Sequence, residues 1–98
     1  LARVEALALD GHPRRDELQL IRGELRASGN RCQAAVRDFD ELLARPIGRP
    51  LEERVRYGRA VCLAREGRQD AARAAFSDYL ERFPEGRFAS QARAAVAR

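Results

Sequence analysis

The apolar residues of this chain recur at three- and four-residue intervals along most of its length. The spacing is clearest in residues 57–84, where it predicts two helices joined at Gly67. The second of these helices places Ala72 and Phe76 on one face, four residues apart. Because proline cannot continue a helix, Pro84 predicts the end of that helix.

The same spacing predicts four further helices, separated by glycine and proline. The six predicted helices span residues 1–10, 16–28, 31–45, 51–66, 68–83 and 88–98. We expect Asp16 and Asn30 to cap the second and third helices. Gly23 falls inside the second helix, where glycine costs about 1 kcal/mol relative to alanine. We therefore expect another helix to approach closely at Gly23.

Part of the pattern is an internal repeat. Three apolar residues of the third helix each have an equivalent 37 residues later, and the preceding glycine has one 38 residues later. The pairs are Ala35 and Ala72, Phe39 and Phe76, Leu43 and Leu80, and Gly29 and Gly67. The repeated aromatic positions are predicted to lie in the core between helices.

Residues 57–84 resemble a tetratricopeptide (TPR) repeat. That family has a small residue in its first helix, a glycine before the turn, then an alanine, an aromatic residue four places on, a small or apolar residue and a closing proline. These places are taken here by Ala60, Gly67, Ala72, Phe76, Tyr79 and Pro84. The resemblance implies an all-α, TPR-like solenoid of about six antiparallel helices. We assign residues 14–46 and 50–84 to two helix pairs, flanked by an N-terminal helix (1–13) and a terminal helix (86–98).

The length of 98 residues fits a single small domain. Because the chain begins at Leu1 and contains no Met, we expect it to be a fragment of a larger protein. Residues 79–96 are similar to the repeat endings of TPR proteins of the bacterial cell envelope, including outer-membrane assembly and division factors. This resemblance implies a bacterial protein and favours the envelope or periplasm over the cytoplasm.

The charge pattern argues against a nucleic-acid partner. The chain carries 19 basic and 15 acidic residues, a net charge of +4, and the two signs alternate closely. Such mixed charge is typical of solvated helix faces with local ion pairs. No apolar run approaches the roughly 20 residues of a membrane-spanning helix. We predict neither nucleic-acid binding nor direct membrane insertion.

The titratable residues offer little for catalysis. The only histidine, His12, lies in a predicted turn, so neither a Ser-His-Asp nor a Cys-His arrangement can be drawn. Neighbouring carboxylates on a helix point in different directions and cannot address one substrate atom. There is no phosphate-binding glycine loop, and zinc ligands are too few. We predict no enzymatic activity, no metal and no cofactor.

Cys32 and Cys62 are the most specific chemical feature. Their helices are expected to run antiparallel around a turn near residue 48, which brings Cys32 opposite residue 64, roughly 3 Å along the helix from Cys62. A disulfide is one interpretation; it would contribute about 3 to 4 kcal/mol and indicate an oxidising compartment. The other interpretation is two buried free thiols in helix interfaces.

In the TPR family the first helix of each repeat lines a concave groove. The register set by Gly67 and Pro84 places six residues on that side: Arg54, Tyr57, Val61, Ala64, Arg65 and Gln91. An aromatic residue flanked by arginines suits an acidic peptide or a C-terminal carboxylate. The alternative is that these are ordinary surface residues.

The resemblance implies a non-catalytic protein–protein interaction scaffold that binds a protein or peptide partner through this groove. A second interpretation is a structural module that spaces or dimerises neighbouring domains. In that case a homodimer could form through an uncovered first helix, with Leu1, Val4 and Leu7 as its apolar residues.

Overall fold

Five consecutive helices make up residues 14–98, the part of the chain that the computed structural model describes. They are α1 (Arg15–Ser28), α2 (Cys32–Leu43), α3 (Arg49–Arg65), α4 (Gln69–Arg82) and α5 (Ala89–Ala97). Each helix packs against the next, and α1 also contacts α3. This contact pattern fits a helical repeat. None of the five is long and apolar enough to cross a membrane.

The prediction of an all-helical chain is confirmed, with five helices described instead of six. The helix predicted at residues 1–10, its apolar residues Leu1, Val4 and Leu7, and His12 all lie outside the described residues. Helix α4 ends at Arg82, two residues before Pro84. Gly67 has φ +77°, a left-handed conformation that glycine adopts without steric cost.

The two predicted helix caps are wrong. Helix α1 begins one residue before Asp16, and α2 begins after Arg31, so neither predicted residue occupies the cap position. Asp16 instead lies in the first turn of α1 and accepts a hydrogen bond from Arg45 at 2.9 Å. Asn30 has φ +61°, a conformation that asparagine tolerates better than most residues, and it completes the turn between α1 and α2.

The close approach expected at Gly23 is confirmed. The fully buried ring of Phe39, on α2, lies against both α1 and α3. A Cβ atom added at Gly23 would lie 2.6 Å from Phe39 Cε1, and one added at Gly58 would lie 3.1 Å from Phe39 Cζ. The two glycines therefore let one aromatic ring occupy the junction of three helices. Phe76, its repeat equivalent on α4, is also in the core.

A buried carboxylate joins α1 to α2. Asp38 is 2 % exposed, and its oxygens accept hydrogen bonds from Arg22 Nη2 at 2.6 Å and Arg26 Nη1 at 2.8 Å. Burial of an unpaired carboxylate would be costly, so the two guanidinium groups make this position tolerable. Within residues 14–98, every buried side-chain nitrogen and oxygen has a hydrogen-bond partner.

The two cysteines lie at disulfide distance. Cys32 is the first residue of α2, Cys62 lies in the last turn of α3, and their Cα atoms are 5.1 Å apart. This geometry agrees with the disulfide interpretation. The bridge ties the second helix of the first repeat to the first helix of the second repeat.

Candidate partner-binding surface

The six residues predicted to line a groove lie on two helices, five on α3 and Gln91 on α5. Tyr57 is half-buried and stacks on Phe88, with ring centroids 4.2 Å apart and planes 8° apart. It also makes edge-on contacts with Phe76 at 6.0 Å and Tyr79 at 5.9 Å. Much of the Tyr57 ring is therefore used to pack α3 against α4 and the start of α5.

Arg54 is engaged within the fold. Its Nη2 and Nε atoms donate to the two carboxylate oxygens of Glu24 on α1, at 2.6 and 3.2 Å. The hydrogen bonds that Arg54 donates to Glu24, with the attraction of the carboxylate charge, raise the pKa of Arg54 above its ordinary value. This two-pronged ion pair holds the start of α3 to α1.

Arg65 reaches the other end of α1. Its Nη1 donates to the backbone oxygen of Ala27 at 3.0 Å. Ala27 lies in the last turn of α1, where carbonyl groups lack partners within the helix. A guanidinium has five N–H donors, so the exposed Arg65 side chain keeps further donors for another group.

A cavity of about 330 Å³ opens between the end of α3, the start of α4 and the end of α5. It is lined by Ala64, Gln69, Ala72, Arg73, Phe76, Ala95 and Arg98. Of the six predicted residues, only Ala64 lines this cavity. Val61 is partly buried against the core, and Gln91 is exposed on α5. We refer to this feature as the α3–α5 cavity.

Six of the seven lining residues were absent from the predicted groove set, and the sequence held a signal for two of them. Ala95 and Arg98 lie 34 residues after Val61 and Ala64. This is the typical length of a TPR repeat, whereas the repeat between α2 and α4 spans 37 residues. The same step relates Tyr57 to Gln91, which the prediction did include. Applying that period to every groove residue would have found both positions.

The charge of the α3–α5 cavity is positive. Arg73 Nη2 donates to the backbone oxygen of Arg98 at 2.7 Å. Among residues 14–98, no Asp or Glu side chain forms an ion pair with either arginine. The floor is apolar, formed by Ala72, Phe76 and Ala95. Such a site can take an apolar side chain beside an anionic group.

No group of three or more His, Cys, Asp or Glu side chains in the described part of the chain is placed to hold a metal ion. The α3–α5 cavity has an apolar floor that includes Phe76, and the guanidinium groups of Arg73 and Arg98 are in its lining.

Comparison with known proteins identifies the family. A search of curated proteins and a search of solved structures found no match. A family model described as tetratricopeptide repeat matches residues 22–87, about two thirds of the chain. The matched segment begins in α1 and ends between α4 and α5, and so contains the repeated alanine and aromatic positions. The chain belongs to the tetratricopeptide repeat family.

Proposed function

We propose that this domain is a non-catalytic scaffold that binds a peptide segment of a protein partner at the α3–α5 cavity. TPR repeats generally mediate protein–protein interactions, and the family is typically non-catalytic. The observation that carries the proposal is the α3–α5 cavity itself. It lies between Ala64, at the end of α3, and Ala95, near the end of α5, and its volume is about 330 Å³.

The lining of the α3–α5 cavity supports an acidic partner. Alanines at positions 64 and 95 leave room above the Phe76 ring for one or two apolar side chains of a peptide. Arg73 and Arg98 can form ion pairs with a carboxylate of the peptide, either that of an Asp or Glu side chain or that of its C-terminus. A short extended segment with an apolar residue next to an acidic one satisfies both features.

The other predicted groove residues have supporting roles in this proposal. Arg54 holds α3 in place through Glu24, and Tyr57 with Val61 forms the wall of the groove. The exposed side chains of Arg65 and Gln91 extend the surface on either side of the cavity. We therefore expect Arg73 and Arg98 to make the main contacts with an anionic group of the partner, and Arg65 to make an additional one.

The proposal can be tested with a random heptapeptide array and two matched variants. We expect the wild-type chain to select peptides that pair an apolar with an acidic residue. Ala64→Glu puts a larger side chain into the α3–α5 cavity and adds a negative charge beside Arg73 and Arg98, and should weaken binding of a selected peptide at least about tenfold, or 1.4 kcal/mol. Ala74→Glu changes an exposed alanine of α4 that does not line the cavity, and should leave affinity within about twofold.

Two results would overturn the proposal: an array from which no peptide is selected, and selected peptides that bind Ala64→Glu as tightly as Ala74→Glu. Both substitutions are at exposed positions, so circular dichroism should show the same helix content in each variant. Tyr57→Ala is unsuitable for this test, because loss of the ring would disrupt the packing of α3 on Phe88 and Phe76.

A further inference from the structure

We propose that Cys32 is a thiol–disulfide exchange site, at which a small anionic thiol opens the Cys32–Cys62 bridge through a mixed disulfide on Cys32. The cavity at Cys32 shares no lining residue with the α3–α5 cavity. Arg65, which lines the cavity at Cys32, is an additional contact in the proposed partner binding, but the exchange at Cys32 does not require a partner to be bound.

The two cysteine residues differ in exposure. Cys32 is 7 % exposed and lines an open cavity of about 630 Å³, whereas Cys62 is 0 % exposed. The cavity is lined by Asn30, Arg31, Cys32, Gln33, Ala34, Arg37, Arg65 and Glu66. Exchange requires an attacking thiolate to reach one of the two sulfurs. Of the two cysteines, Cys32 is the one that lines this cavity, so we assign the attack to its sulfur.

The charge of the cavity at Cys32 selects the attacking thiol. Arg31 and Arg37 line it from α2 and its cap, Arg65 lines it from the end of α3, and Glu66 is the one acidic group in the lining. The local charge is thus positive, which concentrates anions and repels cations.

The exchange is balanced in two steps. In the first, an incoming thiolate forms a bond to Cys32 Sγ, the Cys32–Cys62 bond breaks, and Cys62 leaves as a thiolate that takes a proton from water. In the second, another thiolate attacks the external sulfur of the mixed disulfide and releases Cys32 as a thiolate. Two small thiols are oxidised to their disulfide, and the protein bridge is reduced by two electrons.

The consequence lies at the junction between repeats. The bridge ties α2 to α3, so opening it removes the covalent link between these two helices and leaves their noncovalent packing. A modified Cys32 would in addition place the anionic adduct beside Arg37 and Arg65, at the edge of α1.

The test uses the wild-type chain and two thiols of similar size and opposite charge, mercaptopropionate and cysteamine. For each thiol, the rate of bridge opening in the folded chain is divided by its rate in the urea-unfolded chain. This division cancels the difference in intrinsic reactivity between the two thiols. After an acid quench, peptide mass spectrometry locates the adduct. We expect the adduct on Cys32, and a folded-state rate ratio favouring mercaptopropionate at least about threefold, which decreases at high salt because the charges are screened.

Charge variants make the test specific. Arg37→Gln should lower the preference for mercaptopropionate, whereas Arg93→Gln, which removes an exposed arginine of α5 outside this cavity, should not. An adduct located on Cys62, or a rate ratio of one in the folded chain, would overturn the proposal.

Single-cysteine variants provide a second measurement. With the disulfide of mercaptopropionate as the reagent, Cys62→Ser should be modified at Cys32 in the folded state. Cys32→Ser should resist modification at Cys62 until urea is added. Equal reactivity of the two folded variants would contradict the assignment of Cys32 as the attacked sulfur.

Discussion

The Tyr79 hydroxyl donates to Glu53 Oε2 at 2.6 Å, and through this hydrogen bond one phenol on α4 anchors α3. The Tyr79 hydroxyl oxygen also accepts a hydrogen bond from the backbone N–H of Phe88, just before α5, at 2.9 Å. Glu53 Oε2 also accepts the backbone N–H of Arg87 at 2.6 Å. The Tyr79 hydroxyl and the Glu53 carboxylate thus link α3, α4 and the start of α5, beside the stacked rings of Tyr57 and Phe88.

We predict that Tyr79→Phe lowers the free energy of unfolding by about 1 to 2 kcal/mol, because the Phe88 N–H and the Glu53 carboxylate each lose a partner. Urea denaturation followed by circular dichroism measures this change. Tyr57→Phe is the matched control, since its hydroxyl makes no hydrogen bond within residues 14–98, and it should change stability by less than about 0.5 kcal/mol. Equal effects of the two variants would contradict the role of the Tyr79 hydroxyl.

Gly86→Ala should also destabilise the fold, by about 1 to 3 kcal/mol. An added Cβ would lie 2.5 Å from both Glu53 Oε2 and Tyr79 Oη, and 2.9 Å from Phe83 Cβ. If the crowding at Tyr79 Oη matters, Gly86→Ala should cost less in a Tyr79→Phe background, and a double-mutant cycle measures the difference. Strict additivity of the two changes would argue against direct contact.

Burial, and then the hydrogen bond to Glu53, raises the pKa of Tyr79 from 10.0 to about 12. The folded chain holds the phenol proton more tightly than the unfolded chain, so this contribution to stability is complete below pH 10 and is lost as pH rises towards 12. Its upper limit is roughly 2 to 3 kcal/mol.

The pKa of Tyr79 can be read directly in Tyr57→Phe, which leaves Tyr79 as the only tyrosine. Ultraviolet absorbance of the phenolate should show a midpoint near pH 12 in the folded variant and about 10 in urea. A midpoint near 10 in the folded variant would mean that Tyr79 is neither desolvated nor bonded to Glu53.

Gly23→Ala should destabilise the chain by about 1 to 2 kcal/mol, although alanine is the better helix former by about 1 kcal/mol. The new Cβ would lie 2.6 Å from Phe39 Cε1, and the fully buried ring has little room to move. Gly29→Ala is the control, because its nearest contact would be an ordinary 3.4 Å and its φ is −90°. It should be neutral or slightly stabilising in the same urea titration.

Reduction of the Cys32–Cys62 bridge should lower the free energy of unfolding by about 3 to 4 kcal/mol, given a separation of 30 residues. The measurement is the urea midpoint with and without reductant. The double variant Cys32→Ser with Cys62→Ser should unfold at the same midpoint in both conditions. If the urea midpoint of the wild-type chain is the same with and without reductant, the bridge does not stabilise the fold.

The helices and their repeat could be predicted from the sequence because they follow from local rules. Apolar spacing, Gly67 and Pro84 set the helix limits to within a few residues, since hydrogen bonding within a helix depends on its own neighbours. The proximity of Cys32 and Cys62 could also be inferred from the sequence, for a similar reason. Two helices joined by a short turn have a nearly fixed register, so the partner of a residue near one end is known to within one turn.

The side-chain partners depend on packing between distant segments. In sequence Asp38 looks like any surface aspartate, and only the packing of α1 on α2 buries it between Arg22 and Arg26. Arg54 was predicted to face a ligand but pairs with Glu24, 30 residues away. The α3–α5 cavity likewise depends on the distance between α3 and α5 beside Phe76. That distance is determined by the packing of many side chains from separate segments of the chain.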